Sequence, residues 1–250
     1  MGSGVGRWVY GAAAIGFGVI TLVWREFSAW QQNVPHWTAL LYLIAAVEIL
    51  GGLAIFWTKT ARAGAIVLGC LYLYFALTWV PRIAAEPGIY DRWGNFFEQF
   101  SIVCGALVAY GMLCAGEDKR AATAARIGYY GFGICVISFT LEQAFYLQGT
   151  ASFVPKWIPP GQMFWAVATT VAFALAAIAL LTGRMALLAA RLTTLMIAGF
   201  GLLVWLPALL GAPRQIMNWG GNAQNTAILG AAWIVAEYLG RKKASESGVA

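Results

Sequence analysis

Trp79, Pro81, Trp93 and Gly94 recur as Trp205, Pro207, Trp219 and Gly220, every pair 126 residues apart. Earlier in each half, Val34-Pro35-His36-Trp37 is echoed by Val154-Pro155-Lys156-Trp157 at 120 residues, and Arg7 by Arg126 at 119. Self-similarity at a long fixed period marks an internal repeat, and missing it misassigns the whole fold. The chain reads as two copies of one unit, 1–118 and 119–240, followed by a basic and polar tail at 241–250 expected to carry no packed structure. The charged stretch from Gly116 to Arg126 is the natural linker between the copies.

Each copy must fold in lipid. The chain is 61% hydrophobic and 10% charged, whereas soluble domains carry about 25% charged residues. Mean hydropathy is +0.72. Eight apolar runs approach the ~20 residues that a helix needs to cross a bilayer: 8–25, 38–57, 63–80, 97–115, 127–147, 162–182, 186–207 and 222–239. They are too long and too continuously apolar for barrel strands. The first run lacks a small-residue cleavage site before Arg25-Glu26 and reads as a retained span. Alternate connections carry eleven Lys and Arg on one side and five on the other. The positive-inside rule therefore puts both termini in the cytoplasm. Four spans per copy is an even number, so the copies lie in the same sense, as a parallel repeat. The expected fold class is all-α: a polytopic membrane protein of eight transmembrane helices in two parallel four-helix repeats. Small residues at helix-packing spacing, Ala12/Gly16, Ala65/Gly69, Ser101/Gly105/Ala109 and Thr226/Gly230, read as packing positions.

Composition also excludes several kinds of chemistry. His36 is the single histidine, so neither a bis-histidine haem nor a copper–histidine centre can be built within this chain. Cys70, Cys104, Cys114 and Cys135 form no CxxC pair and sit in apolar runs, as core residues do. No metal site is expected. The net charge of +6 comes from short loops, not from a basic stripe of the kind that binds nucleic acid. No phosphate-binding glycine loop or nucleophile elbow is present.

The remaining polar residues collect on the side with fewer cations. Trp24, Trp30, Trp37, Trp79, Trp93, Trp157, Trp165, Trp205 and Trp219 fall there, against Trp8 and Trp57 on the other side. They read either as an interfacial belt or as the lining of an aromatic pocket. Asn95 and Glu98 in the first copy and Asn222 and Gln224 in the second open spans four and eight, as helix caps or as ligand groups. Glu48 lies mid-span, where a carboxylate is costly and by default functional or paired. Arg25-Glu26 ends the first span, and Glu142-Gln143 lies in the outer part of the fifth. Two readings stay open for these groups: one polar cavity opening outward, or local pairing that holds helices in register.

Arg7 before a glycine-rich first helix, Pro35 before span two, Trp93-Gly94-Asn95 with Glu98, and Trp219-Gly220-Gly221-Asn222 with Gln224 together resemble the DoxX/DoxD family of bacterial and archaeal membrane proteins, here as a tandem pair. The resemblance implies a four-helix membrane module in a cytoplasmic membrane. Some members are associated with thiosulfate:quinone oxidoreductase or a terminal quinol oxidase, others with oxidoreductase complexes of oxidative stress. The chain departs from the pattern by its doubling and by Gln224 where the first copy has Glu98. The function implied is an accessory component of a quinone-linked redox system. It has no covalent cofactor, a quinone as ligand, and lipid and oxidoreductase subunits as partners. Ligand-binding candidates are Arg25, Glu26, Glu48, Trp93, Asn95, Glu98, Glu142, Asn222 and Gln224. The alternatives are a small-solute transporter or channel and a non-catalytic scaffold or assembly factor.

Overall fold

The computed structural model describes residues 4–114 and 118–248. Gly116 and Glu117 of the expected linker lie outside them. The described residues form helices and connections, with no strand. The helices are α1 (Val5–Trp24), α2 (Thr38–Phe56), α3 (Ala61–Leu77), α4 (Val80–Ala85), α5 (Tyr90–Leu113), α6 (Lys119–Phe145), α7 (Leu147–Phe153), α8 (Gln162–Thr182), α9 (Ala186–Phe200), α10 (Leu206–Gly211) and α11 (Ile216–Glu246). A 3-10 turn, Ala29–Gln31, follows α1, and a π-helical turn, Gly201–Trp205, joins α9 to α10.

Among the described residues, seven stretches are long and apolar enough to cross a membrane: α1, α2, Ala61–Ala85, α5, α6, α8 and Ala186–Gly211. Large apolar side chains on their outer surfaces, such as Val23, Leu50, Leu175 and Leu195, are exposed and suit contact with lipid. The run expected at 222–239 lies inside α11, the longest helix at 31 residues. Asn222, Gln224 and Asn225 lower its hydropathy. Gln224 and Asn225 are buried, so their polarity meets protein and not the surroundings.

Two expected spans are interrupted near their ends. Pro81 and Pro207 have no N–H to donate to the carbonyl four residues back, and each sits in the first turn of a new short helix. α4 and α10 are both six residues long, with bounds 126 residues apart. α5 begins at Tyr90, ahead of the expected 97, because Asp91, Arg92 and Asn95 continue the helix beyond its apolar part. The basic tail also differs from expectation. α11 runs through Arg241, Lys242 and Lys243 to Glu246, in good helix formers, and stops before Gly248 at φ 68.

α5 and α11 form the centre of the bundle. α5 packs on α3, α6 and α11, and α11 packs on α1, α5 and α9. Exchanging α1, α2, α3 and α5 for α6, α8, α9 and α11 carries this scheme onto itself. α1 on α2 becomes α6 on α8, α3 on α5 becomes α9 on α11, and α1 on α11 becomes α6 on α5. Small residues set the closest approaches. A Cβ on Gly105 would lie 2.6 Å from the Cβ of Ala231, and one on Gly230 would lie 2.6 Å from the backbone N of Tyr10. Gly16, by contrast, meets nothing within 4 Å, so the Ala12/Gly16 pair faces outward and packs no helix. Tyr10 crosses from α1 to donate its hydroxyl to the Ile102 carbonyl at 3.2 Å. Tyr10→Phe removes one such bond, worth about 1 kcal/mol. The expected result is a melting temperature a few degrees lower in detergent, with the helical circular dichroism unchanged.

Candidate functional site

The end of the bundle that carries the α1–α2 connection holds a cavity of about 160 Å³ between α5, α6, α8, α9 and α11. Its polar lining is Glu98, Glu142, Gln143, Gln224 and Asn225; its apolar walls include Trp30, Phe139, Phe173, Phe200 and Trp205. An adjoining cleft of about 430 Å³ shares Glu98, Gln143, Phe200 and Trp205 with it. The cleft runs out past Phe153, Trp165 and Leu203, all exposed apolar residues. A polar cavity and a mainly apolar cleft therefore lie side by side and share part of their lining.

Glu98 and Gln224 occupy corresponding positions, 126 residues apart, and they touch. Gln224 Nε2 donates to Glu98 Oε2 at 3.4 Å, while Gln224 Oε1 accepts from Gln99 Nε2 at 3.0 Å. Gln143 Oε1 accepts from the hydroxyls of Thr169 and Thr170 at 3.2 and 3.1 Å. Glu142 Oε2 is buried and has no hydrogen-bond partner. A buried unpaired acceptor costs about 1–3 kcal/mol, so its persistence calls for an explanation. Two glycines make room here. A Cβ on Gly94 would collide with the Glu142 carboxylate, and one on Gly221 with the Trp205 ring.

The repeated Trp-Gly elements build the rim. Trp93 Nε1 donates to the Pro87 carbonyl at 3.1 Å, and Trp219 Nε1 to the Pro213 carbonyl at 2.9 Å. Both bonds span six residues and close the turn before α5 and α11. On the first rim Arg92 pairs with Glu86 and donates to the Arg82 carbonyl at 2.6 Å. Asn222 and Asn225 take up carbonyls around the π turn, those of Trp205 at 2.8 Å and Ile197 at 3.2 Å. A π turn shifts the hydrogen-bond ladder by one residue and often marks a functional site. Here it holds Trp205 against Trp30, with ring centroids 6.0 Å apart. Trp93→Phe is expected to cost about 1 kcal/mol through its lost indole bond and to loosen the turn, read as faster amide exchange at residues 88–93.

Of the residues singled out from sequence, Glu98, Glu142 and Gln224 line the cavity. Trp93 and Asn222 hold the turns around it, and Asn95 donates to the Asp91 carbonyl at 2.7 Å within its own helix. Arg25 and Glu26 lie exposed after α1. Glu48 is fully buried between α1, α2 and α3, where Gln31 Nε2 donates to its Oε1 at 2.6 Å. These three do not line the cavity. The turn Ala29–Gln31 separates the two regions, with Trp30 facing the cavity and Gln31 facing Glu48.

Comparison of the chain with family models, with curated proteins and with solved structures finds no match. Function therefore has to be argued from the site. Among the described residues no group of three or more His, Cys, Asp or Glu side chains is gathered as a metal-ligand set. What the arrangement offers is recognition: flat aromatic walls, two carboxylates and three amides, beside an apolar cleft. Such a site suits a lipophilic molecule with a polar, hydrogen-bonding head.

Proposed function

We propose that this is a membrane protein that binds a quinone or quinol in the cleft beneath Trp205, as an accessory component of a quinone-linked redox system. The observation that carries this reading is the unpartnered Glu142 oxygen in an aromatic-walled cavity that adjoins a mainly apolar cleft. The ring would lie against Phe139, Phe173, Phe200 and Trp205. The Glu142 carboxylate would accept a hydrogen bond from a quinol hydroxyl, and Glu98, held by Gln224, would meet the opposite oxygen. The isoprenoid tail would leave past Phe153 and Leu203. When bound, the quinone supplies the two-electron chemistry, and a partner subunit supplies the electron path. The chain's own residues bind, orient and hold protons at the two carboxylates.

The architecture behind this reading is two parallel four-helix repeats and eight spans, with both termini in the cytoplasm of a bacterium or archaeon. The self-mapping packing scheme and the equal bounds of α4 and α10 support the repeats. The length of α11, about 46 Å at 1.5 Å per residue, supports an eighth span. The Lys/Arg asymmetry supports the orientation. The site then faces outward. No such observation favours a transport pathway: between this cavity and the opposite end of α6, Phe132, Cys135 and Val136 are fully buried.

Protein purified natively in mild detergent, extracted with solvent and analysed by mass spectrometry should carry quinone in stoichiometric amount. Bulk phospholipid alone in that extract, with no saturable binding of added quinone, would refute the reading.

A further inference from the structure

Glu48 has polar neighbours of its own, away from the cavity. Gln31 holds its Oε1, but its Oε2 is buried without a hydrogen-bond partner. Among the described residues it forms no ion pair. Two more buried oxygens without a partner belong to Thr21 on α1 and Tyr72 on α3. Helix packing brings the three together. A Cβ on Gly18 would lie 3.3 Å from the Glu48 Cβ, and Thr21 stands one turn farther along the same face of α1. α1 and α2 run in opposite directions, since Gly11 meets Gly52 and Gly18 meets Ala45. Side chains lean toward the start of their own helix, so Thr21 and Glu48 lean toward each other. α2 and α3 are also antiparallel: Gly51 meets Leu68 at 2.8 Å, and Gly64 meets Ile55 at 2.9 Å. Glu48 is one turn before Gly51 and Tyr72 one turn after Leu68, which sets Tyr72 level with Glu48. The charge of Glu48 reaches the Tyr72 hydroxyl.

The fold itself does not require an acid here. α8 takes the place of α2 in the second half and contains no Asp or Glu. A buried carboxylate without a counter-charge is costly, and a neutral amide on one oxygen does not balance it. From this geometry we infer that Glu48, Thr21 and Tyr72 together hold a monovalent metal cation of the sodium kind. All three donors are oxygens, which suit hard cations, and both hydroxyls have lone pairs to offer. A divalent ion would gather more carboxylates, and among the described residues no group of three His, Cys, Asp or Glu side chains is found. One negative charge balances one positive charge. The approach to the site is polar too. Ser28 Oγ donates to Gln31 Oε1 at 3.4 Å, and both amide atoms of Asn33 are buried without a partner. These groups belong to the α1–α2 connection, so the ion enters from that end of the bundle.

The test uses the purified full chain in mild detergent, titrated with radioactive sodium while choline chloride keeps the ionic strength constant. Saturable binding of one ion per chain is expected, together with a melting temperature that rises with sodium and not with choline. Glu48→Gln should remove both effects. Thr21→Val and Tyr72→Phe keep the side-chain shape and remove one oxygen each, and each should weaken sodium binding by roughly tenfold. They also keep the test decisive if Glu48→Gln fails to fold. Glu26→Gln, which removes an exposed acid after α1, should bind sodium as the native chain does. Infrared difference spectra of the native chain and Glu48→Gln should show an ionised Glu48 in sodium. A folded native chain without saturable sodium binding, or binding left unchanged by Glu48→Gln or by both Thr21→Val and Tyr72→Phe, would overturn the site. A protonated-acid band from Glu48 that sodium does not remove would overturn it in favour of a proton.

Discussion

Glu142→Leu is expected to weaken quinol binding about ten- to a hundredfold while leaving the protein as stable as before, or more so. The carboxylate oxygen Oε2 is buried without a partner. Removing such a group relieves a desolvation cost of about 1–3 kcal/mol, and a leucine of similar volume keeps the packing against Gly94. The ligand, however, loses a hydrogen bond to a carboxylate, worth about 1.5–3 kcal/mol, or about ten- to a hundredfold in affinity. The two effects have opposite signs, and this separates a binding residue from a structural one. Glu98→Leu makes a useful contrast. It removes the acceptor of Gln224, so it should lower both affinity and melting temperature. Quinol titration and thermal melting of the two variants, side by side, check both expectations. Unchanged affinity in Glu142→Leu would remove Glu142 from the site.

Gly230→Leu is expected to be the most damaging single change in the bundle. A Cβ there would lie 2.6 and 2.7 Å from the backbone N and Cα of Tyr10. Backbone atoms cannot rotate away as a side-chain end can, so α1 must move off α11. Overpacking of this kind costs about 1–3 kcal/mol or more, and in lipid close packing is itself the force that holds helices together. The displacement also breaks the Tyr10–Ile102 hydrogen bond. The melting temperature in detergent should fall by several degrees at least, with loss of monodisperse protein on size exclusion. Gly16→Leu is the control: with nothing within 4 Å of its Cβ position, it should melt as the native chain does. Equal behaviour of the two variants would contradict the packing described here.

The contrast between Gly230 and Gly16 shows how far a sequence of this kind can be read. Both belong to small-residue pairs at the same spacing, and spacing alone cannot say which face of a helix meets a neighbour. The apolar runs were legible because lipid demands long helices. At the rim only the constant offset of Trp93 and Trp219 was legible; that each closes a turn on a proline six residues earlier needed the structure. The cavity was only partly legible. Glu98, Glu142 and Gln224 stood out as polar residues in apolar runs. Phe139, Phe173 and Phe200 carried no signal, since an aromatic residue in a span is the same letter whether it faces lipid or a ligand. Gly94 and Gly221 read only as parts of the recurring Trp-Gly elements, and their role in clearing space for Glu142 and Trp205 needs three dimensions. Glu48 drew attention for the right physical reason, a carboxylate at mid-span, yet its partner is Gln31, 17 residues away and outside the cavity.

The asymmetry between the halves bears on function. Glu98 and Gln224 meet where the halves join, so one carboxylate and one amide serve a shared centre in place of two acids facing each other. Two carboxylates there would repel across a few ångströms in a medium of low dielectric. The amide instead donates to the acid. An amide at Gln224 thus has a physical reason in the carboxylate it faces, Glu98.

The most direct test is photocrosslinking in lipid nanodiscs with a quinone analogue that carries a diazirine on its ring, followed by peptide mapping. The account predicts saturable labelling confined to Phe139, Phe173, Phe200, Trp205 and their immediate neighbours, competed by unlabelled quinone and lost in Glu142→Leu. Labelling spread over the lipid-facing residues of α2 and α8, insensitive to competitor and to Glu142→Leu, would contradict it.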